Sequence, residues 1–191
     1  MDLAKAFDKI NRYALFINLM NRRCPIGFIN ILDCWYMNSI TTVRWDNLFS
    51  NYVNLSAEIR QGGILSPILF SVYSNDVLVH LHSSKYGCFI KNVPFNAFMY
   101  DDDLILQSIS VGDMQKKINI CETELKWLDM LINVDKTSCM RIGNRYNCNI
   151  SNILIYDKAV EISQEIKYLG VYIISNRVFK CDTHRAKVKY F

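Results

Sequence analysis

Ala97-Phe98-Met99-Tyr100-Asp101-Asp102-Asp103-Leu104-Ile105-Leu106 places three consecutive carboxylates between two short apolar runs. The flanks read as two buried strands, and the acids fall at the turn that joins them. Like charges crowded at such a point are unfavourable unless a cation neutralises them or water reaches them freely. Two readings of the tripeptide stand at this level. It is a solvated acidic turn, since Asp is common in turns, or a hairpin tip that presents oxygen ligands to a hard divalent cation.

Outward from that hairpin, helices and strands intermix. Residues 10–23 space Ile10, Tyr13, Ala14, Ile17, Leu19 and Met20 at helical period, and Pro25 opens a second helix through Phe28, Leu32 and Tyr36. Thr41–Trp45 is β-rich and Tyr52–Ile59 alternates as a strand. Ser66 and Pro67 are an N-cap and first helical residue for a helix that runs to Leu81. Tyr86–Lys91, Phe95–Tyr100 and Leu104–Ser108 read as strands. A long helix from Gly112 or Asp113 carries its apolar stripe through Ile118, Cys121, Leu125, Leu128 and Leu131. Lys136–Ile142, a hairpin around Asp157-Lys158, and Ile166–Ile174 bent at Gly170 complete the pattern. The order lacks strict β-α-β alternation, so the expected class is α+β, an antiparallel sheet with helices packed on one face.

Composition bounds the function. Just over half of the 191 residues are hydrophobic, eleven Tyr and ten Phe among them, which is enough for a real core. The formal charge of +4 favours an anionic partner only weakly. Seven cysteines are scattered singly, with no metal-knuckle spacing. They read as reduced thiols of an intracellular protein without structural zinc, with nucleus or cytoplasm left open. No apolar run has the length to cross a bilayer, and the expectation is no membrane partner. The chain opens and stops inside patterned sequence, so both ends are expected to be cut. Nothing in the pattern speaks to oligomeric state.

Other residues are individually ambiguous. Asp2 near the chain start fits a cap or surface acid as well as a ligand. Gln61-Gly62-Gly63 fits a strand-to-helix turn, or a place where backbone approaches a ligand closely. Lys136 alone reads as a solvated charge, and Phe7 as core.

Five motifs in order change that balance: Asp2-Leu3-Ala4-Lys5-Ala6-Phe7-Asp8, Arg60-Gln61-Gly62-Gly63-Ile64-Leu65-Ser66-Pro67-Ile68-Leu69-Phe70, Tyr100-Asp101-Asp102-Asp103-Leu104-Ile105-Leu106, Ile132-Asn133-Val134-Asp135-Lys136-Thr137, and Lys167-Tyr168-Leu169-Gly170. From Asp2 to about His184 the chain resembles the reverse transcriptases of non-LTR (LINE-type) retrotransposons, and more distantly those of group II introns. The resemblance implies a right-hand polymerase. Residues 1–9 and 61–160 would form the palm, 10–60 a fingers insertion, 161–175 the primer-grip strands, and 176–191 the start of a thumb.

It also implies roles. Asp2, Asp102 and Asp103 would be the metal-binding catalytic acids, with Asp101 in place of the family's usual Ala; Asp101-Asp102 is the alternative pair. Lys136 would donate a proton to pyrophosphate. Phe7 would exclude a ribose 2′-hydroxyl, while Gln61, Gly62 and Gly63 would touch nucleotide and template. Tyr168-Leu169-Gly170 would grip the primer. The cofactors implied are two Mg2+ ions, with Mn2+ able to substitute, about 3.5–4 Å apart across an in-line displacement. The partners implied are an RNA template, a DNA primer and a dNTP, recognised mostly through phosphates. The alternative is a decayed reverse-transcriptase-like domain that only binds nucleic acid. The 191 residues alone, without the family's upstream fingers strands and most of a thumb, are expected to be inactive even if the parent works.

Overall fold

The computed structural model describes residues 1–4, 10–54, 63–183 and 185. Phe7, Gln61 and Gly62 lie outside the described residues, as do most of the expected strand Tyr52–Ile59 and the residues after 185. In chain order the elements begin with β1 (Asp2–Ala4), α1 (Arg12–Asn21) and α2 (Ile26–Met37). Four two-residue strands follow: β2 (Ile40–Thr41), β3 (Arg44–Trp45), β4 (Leu48–Phe49) and β5 (Val53–Asn54). Next come α3 (Ser66–Ser83), β6 (Phe89–Ile90), β7 (Val93–Pro94), β8 (Ala97–Tyr100), β9 (Asp103–Leu106) and α4 (Val111–Trp127). The last third holds β10 (Leu131–Asn133), a 3-10 turn at Val134–Lys136, β11 (Ser138–Cys139), β12 (Leu154–Ile155), β13 (Lys158–Ala159), β14 (Glu161–Ile162), β15 (Glu165–Tyr168), β16 (Val171–Ile174) and β17 (Lys180–Asp182). Mixed helices and strands, including a four-stranded antiparallel sheet, make the class α+β. No helix among the described residues is long and apolar enough to cross a membrane.

The chain divides into two compact units. One comprises Lys5–Asp76 and Trp127–Met130. Its first helix is capped by Asn11, whose Oδ1 accepts the amides of Tyr13 and Ala14 at 3.0 and 3.2 Å. Leu15, Leu32, Phe70, Tyr73 and Met130 are buried in it. The Tyr73 hydroxyl avoids an orphaned polar group by donating to the Leu128 carbonyl at 2.6 Å and accepting the Asn11 amide at 3.2 Å.

The other unit comprises Met1–Ala4, Val77–Lys126 and Leu131–Phe191. Its main sheet runs β10-β1-β9-β8, with every neighbouring pair antiparallel. The short β1 is central, so residues from the chain's beginning, middle and later part share one surface. Alternation then sorts the side chains. Leu3, Leu104 and Ile132 are buried on one face, at 2%, 0% and 4% exposure. Helix α4 contributes Ile118, Cys121 and Leu125 to the core, and burial pushes the Cys121 thiol up to about 12, an inert thiol. The Gln115 side chain pairs with both backbone groups of Leu154 at 2.8 and 2.9 Å, tying α4 to β12.

Three elements depart from the sequence reading. The helix expected through Leu131 ends at Trp127, and Asp129 takes a left-handed φ of +56°. That break frees Leu131–Asn133 to become an edge strand of the main sheet. Lys136 sits in a 3-10 turn rather than in a strand, because the Asn133 side chain accepts the Lys136 amide. The hairpin expected around Asp157-Lys158 turns instead at Tyr156-Asp157, both at positive φ (49° and 62°), the type I′ pattern.

Candidate active site

Register decides the site. Across the sheet, Asn133 on β10 is opposite Asp2 on β1, Asp2 is opposite Asp103 on β9, and Asp103 is opposite Tyr100 on β8. These four form one row on one face, the face opposite Leu3 and Leu104. The Leu104 amide donates to the Met1 carbonyl at 2.9 Å, and the Leu3 amide to the Asp102 carbonyl at 3.2 Å. Asp2 and Asp103 are therefore a non-hydrogen-bonded pair, the kind whose Cα atoms lie about 4.5 Å apart and whose side chains are closer. Like charges directly opposite are destabilising at such a spacing.

The turn itself is Asp101-Asp102, two residues between the partners Tyr100 and Asp103. Asp101 adopts φ +49°. Asp is among the residues that enter that left-handed conformation most often, more often than Ala. The residue that departs from the family pattern thus suits its backbone position.

Electrostatics follow the crowding. Burial raises Asp103 above the usual carboxylate range; the Asp102, Asp2 and Asp101 carboxylates push the same way, against the Met1 α-ammonium. The cationic side chain at hand is Lys136, with Nζ 3.9 Å from Asp2 Oδ2. Its side chain is 69% exposed, so the attraction is screened and small. Beneath it, Thr137 is buried; its hydroxyl accepts the Asp2 amide at 3.4 Å and donates to the Asn133 carbonyl at 2.7 Å.

Asp2, Asp103, Lys136 and Tyr168 line one cavity of about 640 Å³. Burial, and then the Asp103 charge, raise the Tyr168 phenol. Leu169 and Gly170, both at positive φ (46° and 82°), form the two-residue turn between β15 and β16. Gly63 belongs to the other unit, where its carbonyl accepts the Ser66 amide at 3.1 Å.

The donor set suits a hard cation: carboxylate oxygens, half-buried, with like charges only weakly offset. Among the described residues no three His, Cys, Asp or Glu side chains are closed around a point as a cation cage. Magnesium needs no such cage, because it binds through one or two carboxylates together with substrate phosphates and water.

One residue escaped the sequence reading. Lys117 on α4 is fully buried, and its ammonium donates to the carbonyls of Asn96 and Gln107, the latter at 2.7 Å. Those carbonyls lie just beyond the last strand pair, Ala97 with Leu106. Lys117 therefore clamps the open end of the hairpin whose tip carries the acids. Gly87 is required beside it, since a Cβ there would overlap the Asn96 side chain. The available signal was a Lys one position from Ile118 on the apolar stripe of α4.

Residues 1–173 match the family described as reverse transcriptase (RNA-dependent DNA polymerase). The chain is 26% identical over 192 residues to the retrovirus-related Pol polyprotein from type-2 retrotransposable element R2DM of Drosophila melanogaster, covering 95% of this chain and 18% of that protein. It is 29% identical over 181 residues to the corresponding polyprotein from type-1 element R2 of Bradysia coprophila, covering 90% and 20%. A probable RNA-directed DNA polymerase from transposon X-element of Drosophila melanogaster is 26% identical over 77 residues, 40% of this chain and 8% of that protein. The chain spans about a fifth of the length of the two R2 relatives.

Proposed function

Because the chain belongs to the reverse transcriptase family, we propose that it forms the palm and part of the fingers of an RNA-directed DNA polymerase encoded by a non-LTR retrotransposon. Its reaction is transfer of a nucleotide from a dNTP to a primer 3′-hydroxyl on an RNA template. Asp2, Asp102 and Asp103 hold two divalent cations, Mg2+ or in its place Mn2+. When bound, these ions lower the pKa of the 3′-hydroxyl and offset charge on the phosphate oxygens.

The chain's own residues do the rest. Asp2 and Asp103 face one another from neighbouring strands, and Asp102 joins them from the turn. Lys136, beside Asp2, gives a proton to the departing pyrophosphate. Tyr168, Leu169 and Gly170 hold the primer end against the cavity that the acids line. Phe7 rejects the ribose 2′-hydroxyl, and Gln61, Gly62 and Gly63 meet the incoming nucleotide and template. In domain terms, 1–9 and 61–160 are palm, 10–60 fingers, 161–175 primer grip, and 176–191 the start of a thumb.

The observation that carries this reading is the pairing of Asp2 with Asp103, two acids far apart in sequence set directly opposite on one sheet. Such a pair is a cost to the fold unless a cation uses it. The left-handed φ of Asp101 favours Asp102-Asp103 over Asp101-Asp102 as the working pair. In a protein that carries this segment between flanks like those of its R2 relatives, Asp102→Asn is expected to abolish primer extension on an RNA template. Extension at the unchanged rate would remove Asp102 from the site.

A further inference from the structure

The charge of this chain is concentrated. Residues 136–156 and 166–181 carry six basic side chains and no acidic one. Taking those six from the 22 basic residues leaves sixteen against eighteen acids, so the rest of the chain is slightly acidic. The two acid-free stretches meet in the fold. The Gly143 amide donates to the Asn176 carbonyl at 2.9 Å, the Arg177 Nε to the Asn144 Oδ1 at 3.1 Å, and the Ser175 hydroxyl to the Arg141 carbonyl at 2.8 Å. Arg141 in turn donates to the Arg145 carbonyl at 2.9 Å.

Four basic residues, Arg141, Arg145, Arg177 and Lys180 (the first residue of β17), are thus gathered on two segments locked together. None makes an ion pair with a carboxylate among the described residues. Arg145, Arg177 and Lys180 are exposed. The loops also touch the catalytic cavity: Ile142, next to Arg141, and Phe179, next to Lys180, line the same space as Asp2 and Asp103. Phe179 is itself 67% exposed. Unpaired guanidinium and ammonium groups at the rim of a polymerase cavity suit a repeating anion, and an exposed aromatic among them suits bases.

We propose that the interlocked loops 141–145 and 177–180 are a nucleic-acid docking ridge that grips the phosphate backbone of the template–primer beside the catalytic cavity. This rests on the polymerase reading and adds a surface to it. The Arg177 guanidinium, fixed through Nε by Asn144, keeps its terminal nitrogens for phosphate. Arg145 and Lys180 add exposed positive charge on the same two segments.

The test is binding of the 191-residue chain to a fluorescein-labelled RNA–DNA hybrid with a recessed primer end, and separately to the single-stranded RNA, across a salt series. The triple variant R145Q/R177Q/K180Q is expected to bind at least about tenfold more weakly near 50 mM salt. Its plot of log affinity against log salt should be shallower by about 2 to 3, since each phosphate contact contributes roughly 0.7–0.9 to the slope. The variant R145K/R177K/K180R should keep the wild-type slope. A control triple, K85Q/K91Q/K126Q, loses the same formal charge from exposed lysines outside the two loops and should change affinity less than threefold. The arm that loses more, hybrid or single strand, identifies which backbone sits on the ridge. Equal weakening of the loop triple and the control triple, or no weakening of the loop triple, overturns the ridge and leaves the polymerase reading standing. Failure of the wild-type chain to bind either probe likewise overturns the ridge, whereas the polymerase reading is tested separately by Asp102→Asn in the flanked protein.

Discussion

The two ends of the β8–β9 hairpin are opposites. At the tip, Asp101, Asp102 and Asp103 crowd together against Asp2, and the one nearby ammonium side chain among the described residues, Lys136, is mostly in solvent. At the base, a single ammonium, Lys117, is fully buried and hydrogen-bonded to carbonyls just beyond the ends of both strands. The ammonium at the base finds its acceptors within the chain, while the carboxylates at the tip are left facing one another. A hairpin anchored firmly at one end can carry an electrostatically unfavourable arrangement at the other.

Breaking the base should have the largest effect on stability. Lys117→Met removes the charged donor shared by the Asn96 and Gln107 carbonyls, a loss of about 2 kcal/mol in chemical denaturation at pH 7. A variant as stable as wild type would show the ammonium to be a burden rather than a clamp. The comparison sharpens with pH. Burial pulls the Lys117 pKa down to about 8, with Cys88, Cys121 and Asp113 opposing. Between about pH 8 and its unfolded value near 10.5, the unfolded chain holds a proton that the folded chain has shed. Wild-type stability therefore rises with pH across that window, and its margin over Lys117→Met widens.

The turn comes next. Asp101→Ala puts a residue that enters the left-handed region less readily at φ +49° and should cost about 1 kcal/mol, whereas Asp101→Gly should cost little. Neither should abolish primer extension in the longer protein. Abolition by both would make Asp101 a ligand and shift the working pair to Asp101-Asp102.

The smallest effect has the opposite sign. Asp103→Asn relieves the repulsion from Asp2 and should stabilise the metal-free chain by about 0.5 kcal/mol. Millimolar Mg2+ should reverse the order, because only the wild type retains the full ligand set and gains by binding. Thermal melts with and without Mg2+ measure both halves. Destabilisation by Asp103→Asn in the absence of metal would mean the carboxylate has a partner within the fold.

The same contrast separates what could be read in the sequence from what could not. The acidic tip was legible, because a polar tripeptide between apolar runs is a local signal and its strands are immediate neighbours. So was the Leu169-Gly170 turn, where glycine interrupts a strand pattern. The edge strand Leu131–Asn133 was hidden, since Leu125, Leu128 and Leu131 continue a helical spacing and only the left-handed Asp129 interrupts it. β17 was hidden as well, because Arg177-Val178-Phe179-Lys180 shows no alternation until Tyr172 and Asp182 pair. The juxtaposition of Asp2 with Asp103 has no local signature at all. It came from ordered motifs in a resemblance, and then from strand register. Lys117 was overlooked because a lone lysine in a helix usually reaches solvent.

The central claim is that acids distant in sequence share cations on one sheet, and iron placed there reports on it directly. Fe2+ with ascorbate and peroxide, added in place of Mg2+, cleaves backbone near where it binds. Mass spectrometry of the fragments should show cuts at two separated places, around Asp102-Asp103 and around Asn133–Thr137, both suppressed by excess Mg2+ and both lost in Asp2→Asn. Cuts at only one of these places, or cuts that persist in Asp2→Asn, would contradict the shared site.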